Sequence, residues 1–268
     1  MPADRAHYPL RNAAPDEADR LAALQSLHDA STIRQLERLG IAPGWRCLEL
    51  GAGAGSIARW MADTVGDSGS VTAIDQDTAL LTDLGFRANV SVVRGDLATV
   101  ELGAGCVDLA HSRSVLMHVE DPQRVVERVV RALAPGGVVL FEEADGAPAQ
   151  RVADDASLPA AFRAVMVPLA ARWTWARDLA AVLEHLGLHD VHDDVRENVL
   201  HGATPGAAFW IRTLTTIRPL VTDAPRMAAL GRDAISDTDF DAMLALLDDP
   251  DFAVPFAARH RVSGRLPA

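Results

Sequence analysis

The sequence contains no lysine, so all 25 of its Lys and Arg residues are arginine. This excludes a Schiff-base lysine and the lysine of a phosphate-binding P-loop, along with the chemistry that depends on an ε-amine. Cysteine is nearly absent. Cys47 and Cys106 are the two present, and each opens an apolar, strand-like run. Two thiols are too few for a disulfide framework or a zinc site, and they read as small buried hydrophobes. No apolar run approaches the ~18 residues of a membrane span. The opening Met1-Pro2-Ala3-Asp4-Arg5 has no apolar signal region. The expectation is a cytoplasmic protein with no membrane partner. Positive charge is also short, with a formal net charge of -12. Binding to nucleic-acid phosphates wants a basic face, so DNA or RNA is not expected as a partner.

What is present suffices for a large core, since 49% of the 268 residues are hydrophobic. The pattern is helical from Asp16, a candidate cap. Leu21, Leu24 and Leu27 mark a first helix, and Ile33, Leu36 and Leu39 mark a second, closed by Gly40 and Pro43-Gly44. Strands and helices then alternate. Strands are expected at Trp45–Leu50, Ser70–Asp75, Asn89–Arg94, Cys106–His111 and Val138–Glu142. The intervening helices are expected at 56–65, 77–84 and 122–133, with Pro135-Gly136-Gly137 as a turn. Such alternation implies a parallel, doubly wound sheet with ligand sites at the strand carboxyl ends. Beyond a loop-like stretch at 145–155 come helices at 158–172 and 175–186 and a strand at 187–200. Helices at 205–221 and 236–248 and a strand-like run at 251–266 complete the chain.

The most informative segment is Cys47-Leu48-Glu49-Leu50-Gly51-Ala52-Gly53-Ala54-Gly55-Ser56. A buried strand breaks into a bare-backbone turn that feeds a helix N-terminus, which together make a nucleotide cradle. A dinucleotide fingerprint would put Gly or Ala where Ser56 stands. Asp75 ends the second strand, where a carboxylate can accept from both ribose hydroxyls. Asp96 follows the third strand, where it can accept from an exocyclic adenine amine. Glu49 has a competing use as the ion-pair partner of Arg46 or of an N-terminal arginine.

On four elements the chain resembles the class I S-adenosylmethionine-dependent methyltransferases. They are Glu49-Leu50-Gly51-Ala52-Gly53-Ala54-Gly55, Ile74-Asp75, Gly95-Asp96-Leu97 and Leu133-Ala134-Pro135-Gly136-Gly137. Val107-Asp108-Leu109-Ala110-His111 and Leu116-Met117-His118-Val119 look like that family's fourth strand and following loop. The resemblance covers about residues 45–145 and is nearest to ubiquinone/menaquinone-biosynthesis enzymes and bacterial natural-product relatives. It implies an α/β fold with a doubly wound, mostly parallel, seven-stranded Rossmann-like sheet. The seventh strand would be antiparallel, near Phe252–Val262. One methyltransferase domain over 1–268 would comprise a helical cap (1–44), a cofactor-binding core (45–145) and substrate-side helices with the last two strands (146–268).

The resemblance also assigns roles. Gly51, Ala52, Gly53 and Gly55 would face the methionine part of S-adenosylmethionine, with Glu49 near its ammonium. Asp75 would hold the ribose with Gln76 beside the adenine, and Asp96 and Leu97 would flank that base. His111 and Ser112 would close the methionine side through backbone groups. A cofactor demethylated to S-adenosylhomocysteine, a small apolar or aromatic acceptor, no metal and a homodimer complete the expectation. His118 is the leading candidate base, with Glu142 and Tyr8 behind it and His111, Glu143, Asp145 and His201 also near enough to weigh. Trp173, Trp175, Phe209 and Trp210 either wall the acceptor pocket or dock helices. Arg113 and Arg177 are candidate anion contacts. Three rival readings keep part of this. They are a non-methylating reaction such as cyclisation on the same cofactor, a non-catalytic binding module, and an NAD oxidoreductase, the last disfavoured by Ser56 and Asp96.

Overall fold

The computed structural model describes residues 17–153, 155–171, 173–229 and 231–268. Tyr8 and the candidate cap Asp16 lie outside them. The strands are β1 (Arg46–Leu50), β2 (Ser70–Asp75), β3 (Val90–Arg94), β4 (Val107–Arg113), β5 (Leu133–Asp145), β6 (His189–His201) and β7 (Ala253–Arg265). They form one seven-stranded sheet in the order β3-β2-β1-β4-β5-β7-β6. β1 to β5 run parallel, and β7 is inserted antiparallel between β5 and β6. The sheet is therefore mixed, and the order in which strands are added reverses between β1 and β4. Such a switch point leaves a crevice at the carboxyl ends of the strands.

The helices are α1 (Glu17–Arg38), α2 (Ser56–Val65), α3 (Pro122–Ala132), α4 (Ala147–Gln150), α5 (Ala160–Ala170), α6 (Leu179–His185), α7 (Pro205–Val221), α8 (Ala224–Ala229) and α9 (Asp237–Asp248). None among the described residues is long and apolar enough to cross a membrane. α2 buries Ile57, Ala58, Met61, Ala62 and Val65, a stripe at helical spacing that faces β1 and β2. α3 starts where Asp121 accepts from the backbone N–H of Arg124, with Pro122 in the first turn. One layer of core lies between the sheet and α2 and another between the sheet, α3 and α6. A third cluster, built on Phe162, Phe240, Phe252 and Phe256, joins α5, α7 and α9 to β7.

Several elements differ from expectation. The two expected N-terminal helices are one helix, α1, because no glycine or proline interrupts 17–38. The expected helix at 77–84 is two short 3-10 turns, Ala79–Leu81 and Leu84–Phe86, which drive Leu81 and Leu84 into the core. The Pro135-Gly136-Gly137 turn lies inside β5 as an irregularity, where the register against β4 shifts between Val107 and Leu109. A Cβ at Gly137 would stand 2.8 Å from the carbonyl oxygen of Ala134 and 2.9 Å from that of Val107, so only glycine fits. The 145–155 stretch contains the short helix α4, and the segment from Trp175 begins as a 3-10 turn before α6.

Candidate functional site

β1 ends at Leu50, and the chain turns at once through Gly51, Ala52, Gly53 and Gly55 into α2. The three glycines have φ of 67°, 56° and 77°, the left-handed region that a side chain resists. A Cβ on Gly51 would lie 2.2 Å from Val115 Cγ2, and one on Gly55 would lie 2.4 Å from Leu84 Cδ1. The turn is thus pressed between the loop after β4 and the 3-10 turns after β2. Leu21 of α1 packs over Gly53.

Asp75 locks this turn. One carboxylate oxygen accepts from the N–H of Gly53 at 2.8 Å and the other from Asp77 at 3.0 Å. Burial raises its pKa, and the N–H donors act against that rise. Gln76 is exposed beside it, and Asp96 is exposed past β3, where it accepts from Ala98 N–H at 2.9 Å. Leu97 is buried next to Asp96.

Below the turn, Glu49 and His111 stand opposite each other in the β1–β4 register. His111 Nδ1 donates to Glu49 at 2.7 Å and Nε2 to Glu142 at 3.4 Å. Burial alone would discharge the ring, but Glu49 and Glu142 outweigh it and raise the pKa to about 9. His111 is therefore an imidazolium clasped by two carboxylates. Burial also resists the charge on Glu142, but His111 and the Thr32 hydroxyl hold its carboxyl well below the usual range. Thr32 donates to one Glu142 oxygen and Arg261 Nε donates to the other at 2.8 Å.

This corrects two expectations. Glu142 is fully buried with both oxygens engaged, so it is part of an ion network and has no geometry for taking an acceptor proton. Glu49 pairs with His111, while Arg46 is held by Asp108 at 2.9 Å. The reason is the alternation of a strand: Arg46 and Glu49, three residues apart, project from opposite faces. His111, weighed as a candidate base, has both ring nitrogens engaged by carboxylates. Arg113 bonds Asp29 at 2.8 Å and Thr32 at 2.9 Å. Arg177 bonds Asp145 at 2.6 Å, so both candidate anion contacts have carboxylate partners. The α1 side of this network, Asp29, Ser31 and Thr32, had a readable signal in polar residues at helical spacing inside a leucine-rich helix. Arg259 and Arg261 had one in their alternation through an apolar strand.

Glu143 faces the other way, toward Ser112. Its Oε1 accepts from the N–H groups of Val115 and Leu116 at 3.0 Å each, and Oε2 accepts from Met117 at 3.4 Å. Burial raises its pKa, opposed by these three donors. Glu143 thereby pins the loop after β4 beside the glycine turn. A cavity of about 250 Å³ opens against this loop, lined by Leu116, Met117, Val119, Glu143, Trp173 and Trp175 among others. That volume suits one ring or a short chain. Trp173 also stacks on Trp210, with centroids 5.9 Å apart, so it walls the cavity and docks α7 together. Phe209 lies under the Arg20 guanidinium of α1 at 5.5 Å. His118 ends the 3-10 turn Leu116–His118 with an exposed side chain, while Leu116 and Met117 form the cavity wall. His201 is exposed at the end of β6.

Residues 48–141 match the family model described as "Methyltransferase domain". An "Uncharacterized 37.1 kDa protein" from a Streptomyces fradiae transposon is 33% identical over 140 residues, which is 50% of this chain and 41% of that protein. The ubiquinone/menaquinone biosynthesis C-methyltransferase UbiE of Shewanella sediminis is 28% identical over 115 residues, 40% of this chain and 46% of that protein. The matched stretch thus spans less than half the length of these relatives. A solved structure of Haemonchus contortus phosphoethanolamine N-methyltransferase 2, with phosphomonomethylethanolamine and S-adenosylhomocysteine, superposes at a TM-score of 0.61. It is 17% identical and covers 100% of this chain and 61% of that one. At that identity it is the fold that is shared. The glycine turn, the carboxylates after β1 and β2 and the switch-point crevice all fall within the matched stretch or at its edges. Over residues 48–141 the chain is therefore similar to a methyltransferase domain.

Proposed function

We propose that the protein transfers a methyl group from S-adenosylmethionine to an O, N or C atom of a small metabolite. One observation carries the reading. The glycine turn, with three left-handed glycines between the carboxylates Glu49 and Asp75, adjoins a small cavity with aromatic walls across the loop at Val115–Met117. Gly51, Ala52, Gly53 and Gly55 would lie against the methionine part of the cofactor. Glu49, one oxygen on His111, would offer the other to the ammonium. Asp75 would take the ribose hydroxyls, with Gln76 alongside. Asp96 and Leu97 would hold the adenine by its amine and its face, and the backbone of His111 and Ser112 would close the methionine end.

The cofactor supplies an activated methyl on a sulfonium, which reacts by in-line displacement. The protein's part is to align the acceptor and exclude water. Val115 and Leu116, fixed by Glu143, hold the wall between turn and cavity. Trp173 and Trp175 present apolar faces to an acceptor ring. His118 stands at the rim, the residue best placed to receive an acceptor proton where the acceptor is a hydroxyl or an acidic carbon. Several of the relatives that match are named methyltransferases, which favours methyl transfer over the non-methylating and purely binding alternatives.

Calorimetry with S-adenosylhomocysteine tests the cofactor half, and product mass tests the reaction. Stoichiometric binding, with a product heavier by one methylene unit, is expected. No measurable binding, or a product isomeric with the acceptor, would sink the proposal.

A further inference from the structure

Five carboxylates are buried among the described residues, and four of them have a cation in contact. Glu17 has Arg20 at 2.6 Å, Glu49 has His111 at 2.7 Å, Glu142 has Arg261 at 2.8 Å and Asp145 has Arg177 at 2.6 Å. Glu143, 1% exposed, has no ion-pair partner among the described residues. Its Oε1 takes the N–H groups of Val115 and Leu116, and Oε2 is the less engaged oxygen, with the Met117 N–H at 3.4 Å. Arg259 acts on it through space. That guanidinium comes level with Ala144, on the opposite face of the sheet. There its Nη2 donates to His28 Nε2 at 2.9 Å, while Nε and Nη1 are buried without a hydrogen-bond partner. A buried charge is normally paired or bound to a metal. No group of three His, Cys, Asp or Glu side chains among the described residues could hold a metal. The counter-charge to Glu143 is left for a ligand.

Glu143 is placed to meet one. It lines the cavity of about 250 Å³ together with Leu116, Met117, Trp173 and Trp175. Glu120 is the other charged residue of that lining among the described residues, so the wall is aromatic and acidic, with no cation. Arg177 follows the lining residue Ala176, but Asp145 holds it. The face of an indole ring attracts positive charge, most strongly where water is excluded. Stacking on Trp210 fixes the Trp173 ring before any ligand arrives. Glu143 is fixed by the loop after β4, and that loop leads to the glycine turn. Val115, whose N–H it grips, is the residue that a Cβ on Gly51 would strike at 2.2 Å. A ligand on Glu143 thus lies one loop away from the turn.

We infer that the cavity receives the methyl acceptor as an organic ammonium ion, with Glu143 as its counter-ion and Trp173 and Trp175 as its aromatic walls. This rests on the methyl-transfer reading and narrows the acceptor to an amine-bearing metabolite. The ammonium N–H groups would donate to Oε2, the oxygen with the single long bond. The apolar remainder of the acceptor would lie against Leu116 and Met117. The same lining selects against the alternatives. An anion would meet two carboxylates, and a neutral acceptor would leave Glu143 uncompensated.

The test is calorimetry at pH 7 on the full chain loaded with S-adenosylhomocysteine. Benzylamine is the cationic probe, with benzyl alcohol and benzoate as its neutral and anionic counterparts. Benzylamine is expected to bind about tenfold more tightly than the alcohol, and benzoate more weakly than either. The preference should persist in about 0.5 M salt, which screens the general attraction of a chain of net charge -12 for cations far more than it screens a buried pair. Its loss there would overturn the proposal. Glu143→Gln keeps the size of the side chain and is expected to bring amine and alcohol within about twofold of each other. An undiminished preference in that variant would overturn the proposal, since Glu143 would then only pin the loop. Should the variant fail to fold, Trp175→Leu probes the same cavity. A larger loss of affinity for benzylamine than for benzyl alcohol supports the proposal, and equal losses overturn it. If the wild type binds S-adenosylhomocysteine but does not prefer the amine, the Glu143 assignment is wrong and methyl transfer stands. If it does not bind S-adenosylhomocysteine, both fall.

Discussion

Gly55 shows how tightly the turn is specified. Its φ of 77° would strain any side chain by about 1–2 kcal/mol. Its Cβ would also press on Leu84 and Leu81 at 2.4 and 2.8 Å. Gly55→Ala is therefore expected to cost about 2–4 kcal/mol in chemical denaturation, and a loss under about 0.5 kcal/mol would mean the turn is softer than its geometry implies. The cysteines differ just as sharply. Cys47 is 3% exposed and burial pushes its thiol up to about 12, whereas Cys106 is half-buried at a strand entrance. Alkylation of the native protein at pH 8, read by peptide mass, should modify Cys106 and spare Cys47. The glycines, Asp75 and Asp96 were legible in the sequence because backbone demands and strand-end carboxylates leave a local signature. The partner of Glu49 was not, since it depends on which strand lies beside β1.

The ion network ties α1, β4, β5 and β7 together through His111 and Glu142, and it makes this junction pH-sensitive. The folded pKa of His111, about 9, lies above the free value of 6.5. Its stabilisation is complete below pH 6.5 and is lost as the pH climbs through about 9. A shift of that size corresponds to on the order of 3 kcal/mol. The melting midpoint should fall by several degrees between pH 7 and pH 10, and His111→Gln should flatten that dependence. An equally steep curve in the variant would place the effect elsewhere. Glu142 works at the acid end. Its carboxyl is depressed in the folded state, so its contribution is present above the ordinary value of 4.5 and wanes as the pH falls. At this scale periodicity gave α2, α3, α7 and α9 closely, because each has an apolar stripe and, for α3, α7 and α9, a capping side chain. It split α1 in two, because the polar stretch His28-Asp29-Ala30-Ser31-Thr32 imitates a break. Those residues are helical, and Asp29, Ser31 and Thr32 bond sheet side chains.

For the molecule as a whole, the net charge of -12 without a lysine sets the long-range field. The protein should not be retained on a heparin column or shift a DNA duplex at about 0.15 M salt, since binding to phosphates needs a basic face. Retention that weakens steeply with added salt would reveal an arginine patch that the formal charge conceals. The sheet order was the part of the architecture least open to sequence reasoning. Alternating strands and helices specify a parallel, doubly wound sheet, the antiparallel seventh strand came only from the resemblance, and its placement between β5 and β6 came only from the tertiary structure. That insertion brings Arg259 and Arg261 beside β5 and under α1, 117 and 119 residues along the chain from Glu142.

The sequence by itself determined the glycine turn after β1 and the carboxylates at the strand ends, because glycine φ angles, strand-end carboxylates and their order are properties of short segments. Only the tertiary structure decided the charge states of His111 and Glu142, the partner of Glu49, the stranded guanidinium of Arg259 and the cavity walled by Trp173 and Trp175. Each of these is set by burial and by neighbours brought across the sheet. A residue's electrostatic environment belongs to the packed molecule, and no local stretch of sequence encodes it.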